Sequence, residues 1–344
     1  MHTGKLTGRT LEQRLAAPSE LPLPSAHLGL TWRSLCNDDL DDVRDLLDES
    51  ADPRIFDDVR ILRLVTPLID DTQSKNANVD ALVGWDSAGR LQAIGIVSLH
   101  PNPLTEVQAD ILGVTRPQWR GRGIGRALLE WQDGRARQMM LGAGHDLPAS
   151  IRSRVRSDNM GRRRLLAAGG FSPQWRWTFM DLDLTDEHRE MAKDARVRLA
   201  ERGMSLRHLD ESDSEEVRRL HNRVSMVMER RQPLSAQQWQ ERLEDSDHEA
   251  STILTDGANL VGYSLCSASG TGECLRVIYY GIDRGFRHDG NGTDLILSQI
   301  DHALDRGFKR MCVPIVSENT PATEFLTTHG FFEGDSHILY SIDI

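Results

Sequence analysis

The stretch from Asp110 to Trp131 reads DILGVTRPQWRGRGIGRALLEW and combines three local patterns. A short apolar run that favours β-structure is followed by a glycine-rich turn and then by a helical pattern. The apolar residues at helical spacing are Ile124, Ala127, Leu128 and Trp131. A strand, a glycine loop and a helix start aim successive backbone N–H groups at one place, beside the positive end of the helix dipole. The stretch therefore predicts a site for a ligand that carries phosphate groups.

Two common phosphate-binding motifs do not fit this loop. The dinucleotide fingerprint needs the spacing GxGxxG with an acidic residue about 20 positions later. The P-loop needs a Lys after its last glycine, and no Lys follows Gly125. The pattern that fits is R-x-x-G-x-G, formed by Arg120, Gly123 and Gly125 after Pro117. This pattern resembles the acetyl-CoA pyrophosphate loop of the GNAT acetyltransferase superfamily; taken alone, the loop favours an ordinary glycine turn.

Length and composition limit the class of protein. The 344 residues are about twice a typical domain of ~150 residues, which predicts two domains. A net charge of −11 argues against nucleic acid as a partner, and no apolar run approaches the ~20 residues that span a membrane. The first 25 residues lack the apolar centre of a signal peptide, so we expect a cytoplasmic protein. The four cysteines form no C-x-x-C pair, which predicts free thiols and no metal site.

The predicted elements occur twice in the same order along the chain. In the first pass, two helices (the second at 56–68) and a hairpin precede the glycine-loop stretch. A strand at 149–155, a helix that ends at Gly170, and a closing strand at 176–184 follow. The second pass begins at Met204 and finishes with a closing strand at 336–342.

The repeat can be checked by the spacing of matching residues. Four residues recur 167 positions later: Gly95, Arg120, Gly123 and Gly125 correspond to Gly262, Arg287, Gly290 and Gly292. Three recur 160 positions later: Asn159, Gly170 and Phe171 correspond to Asn319, Gly330 and Phe331. The change of offset falls at 141–148, which is predicted to be a surface loop. The chain is therefore predicted to be a tandem repeat of one α/β unit.

Each half resembles a GNAT domain, and the resemblance covers nearly everything from about residue 28 onward. The family implies an α/β (α+β) fold with a mostly antiparallel mixed sheet, splayed at one parallel strand pair, with helices on both faces. The expected divisions are a loose extension at 1–27, an N-terminal domain at 28–184, a linker helix at 185–203 and a C-terminal domain at 204–344. The paired arrangement is similar to that of mycothiol synthase and related actinobacterial acetyltransferases.

The resemblance implies that acetyl-CoA lies between the splayed strands, with its diphosphate at the loop amides. The expected cofactor-binding residues of the first domain are Leu112, Gly113, Val114, Arg120, Gly121, Arg122, Gly123, Ile124, Gly125, Arg126 and Asn159. The matching second site consists of Ile282, Arg287, Gly290, Gly292 and Asn319. The second loop also brings Asp289 and Asp294 near the anion, and like-charge repulsion disfavours binding there. We therefore expect the first domain to bind acetyl-CoA more tightly.

Acetyl transfer to an amine needs a base for the amine and an acid for the departing thiolate. The positions at which the resemblance places these groups hold other residues: Leu166 and Leu326 in place of a Tyr acid, and Ala109 and Arg276 in place of a Glu base. Substitutes are Asp110 as a base acting through water, His100 as a base at the end of the neighbouring strand, and Ser157 as a donor to the thiolate. The alternative for Asp110 is a solvated carboxylate and that for His100 is a surface histidine. The alternative for Ser157 is the cap of the following helix.

The resemblance thus implies a cytosolic enzyme that moves an acetyl group from acetyl-CoA to an amine of a small molecule, by direct attack in a ternary complex. The alternative is an acyl-CoA-binding protein without transferase activity, which the missing acid and base favour. We expect a monomer or homodimer with no nucleic-acid or membrane partner. The arginine run at 162–164 is predicted to be a solvated helix face.

Overall fold

The computed structural model describes residues 8–50, 79–143, 146–228, 233–244, 246–268, 272–287 and 289–344. The chain divides into two compact units. Unit 1 consists of Met1–Gln174 and Ile338–Ile344, and unit 2 consists of Trp175–His337. The helix predicted at 56–68, and residues 144–145 of the predicted surface loop, lie outside the described residues.

Unit 1 contains a mixed sheet. Its strands, in spatial order, are β1 (Thr31–Ser34), β2 (Val79–Trp85), β3 (Leu91–Leu99), β4 (Val107–Thr115) and β5 (Ala149–Arg156). The pairs β1/β2, β2/β3 and β3/β4 are antiparallel, whereas β4/β5 is parallel. The end of the chain completes this sheet, because Ala149 and Ile344 exchange both backbone hydrogen bonds, at 3.2 and 2.8 Å.

Helices cover both faces of this sheet. The helices of unit 1 are α1 (Leu11–Leu15), α2 (Leu40–Ser50), α3 (Ile124–Leu141) and α4 (Met160–Ala168). Ile94 and Ile96 of β3 lie in the apolar cluster that includes α2, and Val97 lies in the cluster that includes α3. This division follows from the alternation of side chains along a strand. The α3 helix packs so closely that a Cβ on Gly95 would lie 2.9 Å from Leu128.

The described part of the N-terminal segment packs onto unit 1, whereas the sequence predicts a loose extension at 1–27. Thr10 caps α1 through a capping box, and Leu11 and Leu15 are buried. Arg14 Nη1 donates a 2.7 Å hydrogen bond to the carbonyl of Ile344. Two buried leucines and this hydrogen bond hold α1 on the unit.

Unit 2 repeats the plan of unit 1. Its strands, in spatial order, are β6 (Ser172–Asp183, which begins in unit 1), β11 (Arg310–Val316), β10 (Cys274–Ile282), β9 (Asn259–Ala268), β8 (Thr252–Asp256) and β7 (Met204–His208). The pair β10/β11 is parallel, and the pairs β6/β11, β9/β10, β8/β9 and β7/β8 are antiparallel. The helices are α5 (His188–Glu201), α6 (Ser214–Met228), α7 (Ala236–Glu244), α8 (Asn291–Leu297), α9 (Ile300–Asp305) and α10 (Thr320–Thr328). The final strand, β12 (Phe332–Asp343), begins in unit 2 and ends in unit 1.

The closing strands differ from the sequence prediction. The strand expected to close the first domain is β6, and it pairs with β11 of unit 2, from Asp183↔Arg310 to Trp177↔Val316. The chain end, expected to close the second domain, pairs with β5 of unit 1. The two closing strands are copies of one repeat, so each fits beside either partner, and a local pattern cannot tell which partner it takes. The expected linker helix is α5, which buries Ala192, Ala195 and Leu199 within unit 2.

The structure extends the repeat and corrects one correspondence. The Arg33 guanidinium donates two 2.6 Å hydrogen bonds to the carboxylate of Asp39. The same pair of 2.6 Å bonds recurs 174 residues later between Arg207 and Asp213. The pairing of Gly95 with Gly262 is wrong by two residues. Gly95 lies opposite Gly113, whereas Gly262 lies opposite Ile282. Since Ile282 matches Thr115, whose partner is Ala93, Gly262 occupies the place of Ala93.

None of the helices in the described ranges combines the length and the apolar character that a membrane span requires.

Candidate functional site

The glycine loop of unit 1 leads directly into α3. Gly121 and Gly123 have φ angles of 78° and 90°, in the left-handed region that favours glycine. Gly123 is the N-cap of the 18-residue α3, and no side chain caps this end. The first N–H groups of the helix therefore face the loop, as an anion site requires. A Cβ on Gly125 would lie 3.2 Å from Leu165, so glycine at this position lets α3 approach α4.

The first arginine of each loop ties the loop to the strand before it. Arg120 Nε donates to the carbonyl of Thr115 at 3.0 Å, and Arg287 Nε donates to the carbonyl of Ile282 at 2.9 Å. Arg122 lies over the ring of Trp119, with its guanidinium carbon 4.5 Å from the ring centre. This hydrogen bond occurs in both units. It indicates that the first arginine of R-x-x-G-x-G fixes the loop to the end of the preceding strand.

Asp294 does not lie in the second loop as a free carboxylate. Its side chain is 3% exposed and forms ion pairs with Arg198 Nη2 of α5 at 2.6 Å and with Nη2 of Arg202, the C-cap of α5, at 2.5 Å. These two cations balance its charge, so the repulsion expected from Asp294 is removed. Asp289 remains exposed in that loop. The expected electrostatic difference between the two loops is therefore smaller than the sequence implies.

Both units contain a cleft where the parallel strand pair separates. In unit 1 the pairing of β4 and β5 runs from Val107↔Ala149 to Asp110↔Arg152, after which the strands continue apart. In unit 2 the pairing of β10 and β11 ends at Arg276↔Cys312. Asp110 and Arg276 thus occupy the vertices of the two clefts. A guanidinium has no acceptor for a proton, whereas a carboxylate has.

Two of the predicted catalytic residues lie together at the vertex of unit 1. His100 Nε2 lies 3.1 Å from Asp110 Oδ2, and the two side chains are 35% and 37% exposed. Sequence separation is ten residues, and the antiparallel pairing of β3 with β4 brings them together. The pair is therefore both hydrogen-bonded and accessible to a substrate.

The third candidate, Ser157, follows the end of β5. Its carbonyl accepts a 2.8 Å hydrogen bond from Arg163 Nη1. The cap of α4 is Asn159, whose Oδ1 accepts from the backbone N–H of Arg162 at 3.0 Å. The alternative of Ser157 as the helix cap is wrong, because Asn159 holds that position. Asn159, expected as a cofactor contact, has a structural task in positioning α4.

Sequence reasoning missed Arg162 and Ser153. Arg162 is predicted on a solvated helix face, yet its Nη1 donates to the carbonyl of Gly113 at 2.8 Å and its Nη2 to Ser153 Oγ at 3.1 Å. Ser153 Oγ in turn donates to the carbonyl of Ile111 at 3.0 Å. The only sequence signal is that the matching residue in the second copy is Ala322.

Two of the cysteines, and the leucines at the expected acid positions, offer no reactive group at neutral pH. Burial raises the pKa of the Cys266 thiol to about 12 and that of Cys274 to about 11, so both thiols stay protonated. Leu166 and Leu326, at the positions of the missing acid, are buried apolar side chains. Within the described ranges, no group of three or more His, Cys, Asp or Glu side chains could hold a metal ion.

A cavity of about 790 Å³ opens in unit 1 beside the glycine loop. One wall is formed by residues between 16 and 28, and the other by the loop and α3. The end of the cavity next to the loop is lined by Arg122, Gly123 and Arg126. Glu130 lines the cavity farther along α3. Its volume lies within the range of pockets that bind small molecules, ~300–1,000 Å³.

Comparison with protein families matches residues 214–331 to the acetyltransferase (GNAT) family. Comparison with curated protein sequences finds no match. Solved structures resemble the chain along nearly its whole length. A GCN5-related N-acetyltransferase from Sphaerobacter thermophilus has a TM-score of 0.64 and 14% identity, over 94% of this chain and 97% of that one. A tandem GNAT protein from the clavulanic acid biosynthesis pathway has a TM-score of 0.61 and 18% identity, over 91% and 98%.

N-myristoyltransferase from Saccharomyces cerevisiae, solved with bound myristoyl-CoA, gives a TM-score of 0.54 and 14% identity, over 97% of this chain and 82% of that one. Likeness at these identities concerns the fold, and the closer likeness to mycothiol synthase stays a prediction. The predicted fold class, a mostly antiparallel mixed sheet with helices, is confirmed, and the strands of each unit include one parallel pair. The chain therefore has the tandem GNAT fold, and its residues 214–331 match the model of the acetyltransferase (GNAT) family.

Proposed function

We propose that this protein is an N-acetyltransferase that moves the acetyl group of acetyl-CoA to an amine of a small molecule, by direct attack in a ternary complex. The GNAT fold supports acyl-CoA-dependent acyl transfer in general. The observation that carries the specific proposal is the Asp110–His100 pair, 3.1 Å apart at the vertex of the unit 1 cleft. The strand that carries Asp110 also leads into the glycine loop, so one element positions both a member of the proposed proton-transfer pair and the diphosphate loop.

The residues of unit 1 fit acetyl-CoA. The uncapped N-terminus of α3 and the left-handed glycines offer backbone N–H groups to the diphosphate, and Arg122 and Arg126 add positive charge. The adjoining cavity offers room for the nucleotide end. In unit 2 the helix after the loop has only seven residues and Asp289 is exposed beside it. We therefore propose that unit 1 holds most of the bound acetyl-CoA.

The paired side chains of unit 1 would manage the proton of the amine. Attack forms a C–N bond and breaks the C–S bond, and one proton must leave the nitrogen. His100 takes this proton, and Asp110 orients the imidazole and stabilises its charged form. With Leu166 at the acid position, the departing thiolate takes a proton from water, and Ser157 at the end of β5 is the proposed hydrogen-bond donor to it. The protein is proposed to act as a monomer or homodimer.

A second candidate function is acyl-CoA binding without transfer. Two observations favour it: Ala109 and Leu166 occupy the positions of base and acid, and both are buried apolar side chains. Under this proposal the Asp110–His100 pair is a surface hydrogen bond with no reaction to assist.

Release of free CoA thiol separates the two functions. The protein is incubated with acetyl-CoA and each member of a library of small-molecule amines, and the thiol is quantified against a blank without amine. The enzyme proposal predicts thiol release above the blank with at least one amine, together with a product heavier by one acetyl group. Saturable binding of acetyl-CoA with no amine-dependent release would favour the second function.

A further inference from the structure

The edge of β4 that faces the unit 1 cleft is already hydrogen-bonded to side chains of the same chain. Beyond the vertex at Asp110, β5 no longer pairs with β4, so the carbonyls of Ile111 and Gly113 need other donors. Ser153 Oγ bonds the first at 3.0 Å, and Arg162 Nη1 bonds the second at 2.8 Å. These are the acceptors that an amide-bearing ligand between the strands would use.

The guanidinium of Arg162 spans the gap between the two strands. Nη1 reaches Gly113 on β4, and Nη2 reaches Ser153 on β5 at 3.1 Å. The backbone of Arg162 is fixed separately, because its N–H is held by Asn159 Oδ1. The side chain can therefore leave the cleft while the helix stays in place.

Unit 2 fills the matching positions differently. Ala322 stands for Arg162, Val313 for Ser153 and Tyr280 for Gly113. Tyr280 and Ala322 pack against one apolar cluster of unit 2. A polar, displaceable side chain in unit 1 thus corresponds to apolar packing in unit 2. The hydrogen bond from Arg162 to the carbonyl of Gly113 can be replaced by one from a ligand amide. The Tyr280 ring in unit 2 is attached to the strand itself and cannot be replaced in this way.

We propose that Arg162 is a gate residue that sets the affinity of the unit 1 cleft for acyl-CoA. The inference rests on the proposed function, since it assigns regulation to the same site. A ligand amide that pairs with Gly113 must first displace the guanidinium from that carbonyl. Only molecules whose Arg162 side chain has left Gly113 can bind the ligand. The apparent affinity is therefore the intrinsic affinity multiplied by the fraction of such molecules. Removing the side chain removes the competition and strengthens binding by about tenfold or more.

The test is calorimetric titration of the full chain with acetyl-CoA, comparing wild type, Arg162→Ala and Arg164→Ala. Arg164 is the matched control, because it carries the same charge on the same helix and is exposed. The gate predicts about tenfold tighter binding for Arg162→Ala and an unchanged constant for Arg164→Ala. Ser153→Ala, which removes one anchor of the guanidinium, should also bind more tightly. Thermal unfolding of each variant checks that it is folded.

Unchanged or weaker binding by folded Arg162→Ala, with normal binding by wild type, overturns the gate and leaves the proposed function standing. Absence of acetyl-CoA binding in wild type and in all variants overturns the proposed function and the gate with it. Equal tightening by Arg164→Ala would mean that loss of positive charge on α4, and not the contact with Gly113, is the cause, and it also overturns the gate.

Discussion

Replacing Asp110 by Asn should lower kcat for the accepted amine by about 100- to 10,000-fold, the usual contribution of a positioned base. The amide keeps the shape of the side chain but removes the charge that orients His100 and stabilises its protonated ring. His100→Gln should lower kcat to a similar extent. The double variant should be little worse than either single one, because residues that act as a unit do not add. Rates are measured by thiol release at saturating acetyl-CoA.

The matched control is Glu106→Gln. Glu106 lies just before β4, the strand that carries Asp110. Its carboxylate is engaged in an ion pair with Arg152 at 2.8 Å. We expect its kcat to stay within about threefold of wild type, a change of less than 1 kcal/mol. Wild-type turnover by Asp110→Asn would remove Asp110 as the group that orients and stabilises His100 in the proposed mechanism.

Replacing Asp294 by Ala should lower the free energy of unfolding of unit 2 by about 2–4 kcal/mol. Asp294 is 3% exposed and is held by Arg198 and Arg202, and removing one partner of such a pair leaves charge without compensation. The two arginines are 38% and 27% exposed, so water relieves part of the cost and the loss falls below the ~3–5 kcal/mol of a fully buried pair.

The measurement is thermal unfolding of the full chain, with a change of ~2–4 °C for each kcal/mol in a unit of this size. The control is Asp289→Ala, since Asp289 lies exposed in the same loop and should change stability by less than ~0.5 kcal/mol. Equal effects of the two substitutions would contradict the structural role of Asp294.

The glycine loop could be predicted because its signals are local. Gly123 stands between an apolar run and a helical pattern, and the structure makes it the N-cap of α3. The same holds for the repeat, since matching residues recur at fixed offsets along the chain. The order of strand, loop and helix is determined by about 20 consecutive residues, so tertiary packing changes it little.

The closing strands could not be predicted, because their partners are chosen over long distances. β6 carries a pattern that suits either central strand, and it pairs with β11 more than a hundred residues away. Asp294 is a similar case. Its position in the sequence puts it in the loop, but its partners Arg198 and Arg202 lie at the end of α5, 92 to 96 residues earlier, and they balance its charge.

The role of Arg162 depends on the width of the gap between β4 and β5, which no sequence pattern gives. Three consecutive arginines on a helix ordinarily face water, and Arg164 does. Arg162 points into the cleft because the first turn of α4 lies beside the open edge of β4. The proposed catalytic pair was partly predictable, since His100 directly follows β3, Asp110 lies on β4, and the two strands form one hairpin.

The proposal that unit 1 holds acetyl-CoA at the N-terminus of α3 can be tested by titrating two matched variants with acetyl-CoA. Gly123→Asp and Gly290→Asp each place a carboxylate at the N-cap of the loop helix, where φ is 90° and 78° respectively. A carboxylate ~4 Å from a diphosphate costs ~4 kcal/mol at an effective dielectric constant of 20. We expect at least ~100-fold weaker binding of acetyl-CoA for Gly123→Asp and near-normal binding for Gly290→Asp. Normal binding by Gly123→Asp together with lost binding by Gly290→Asp would contradict it.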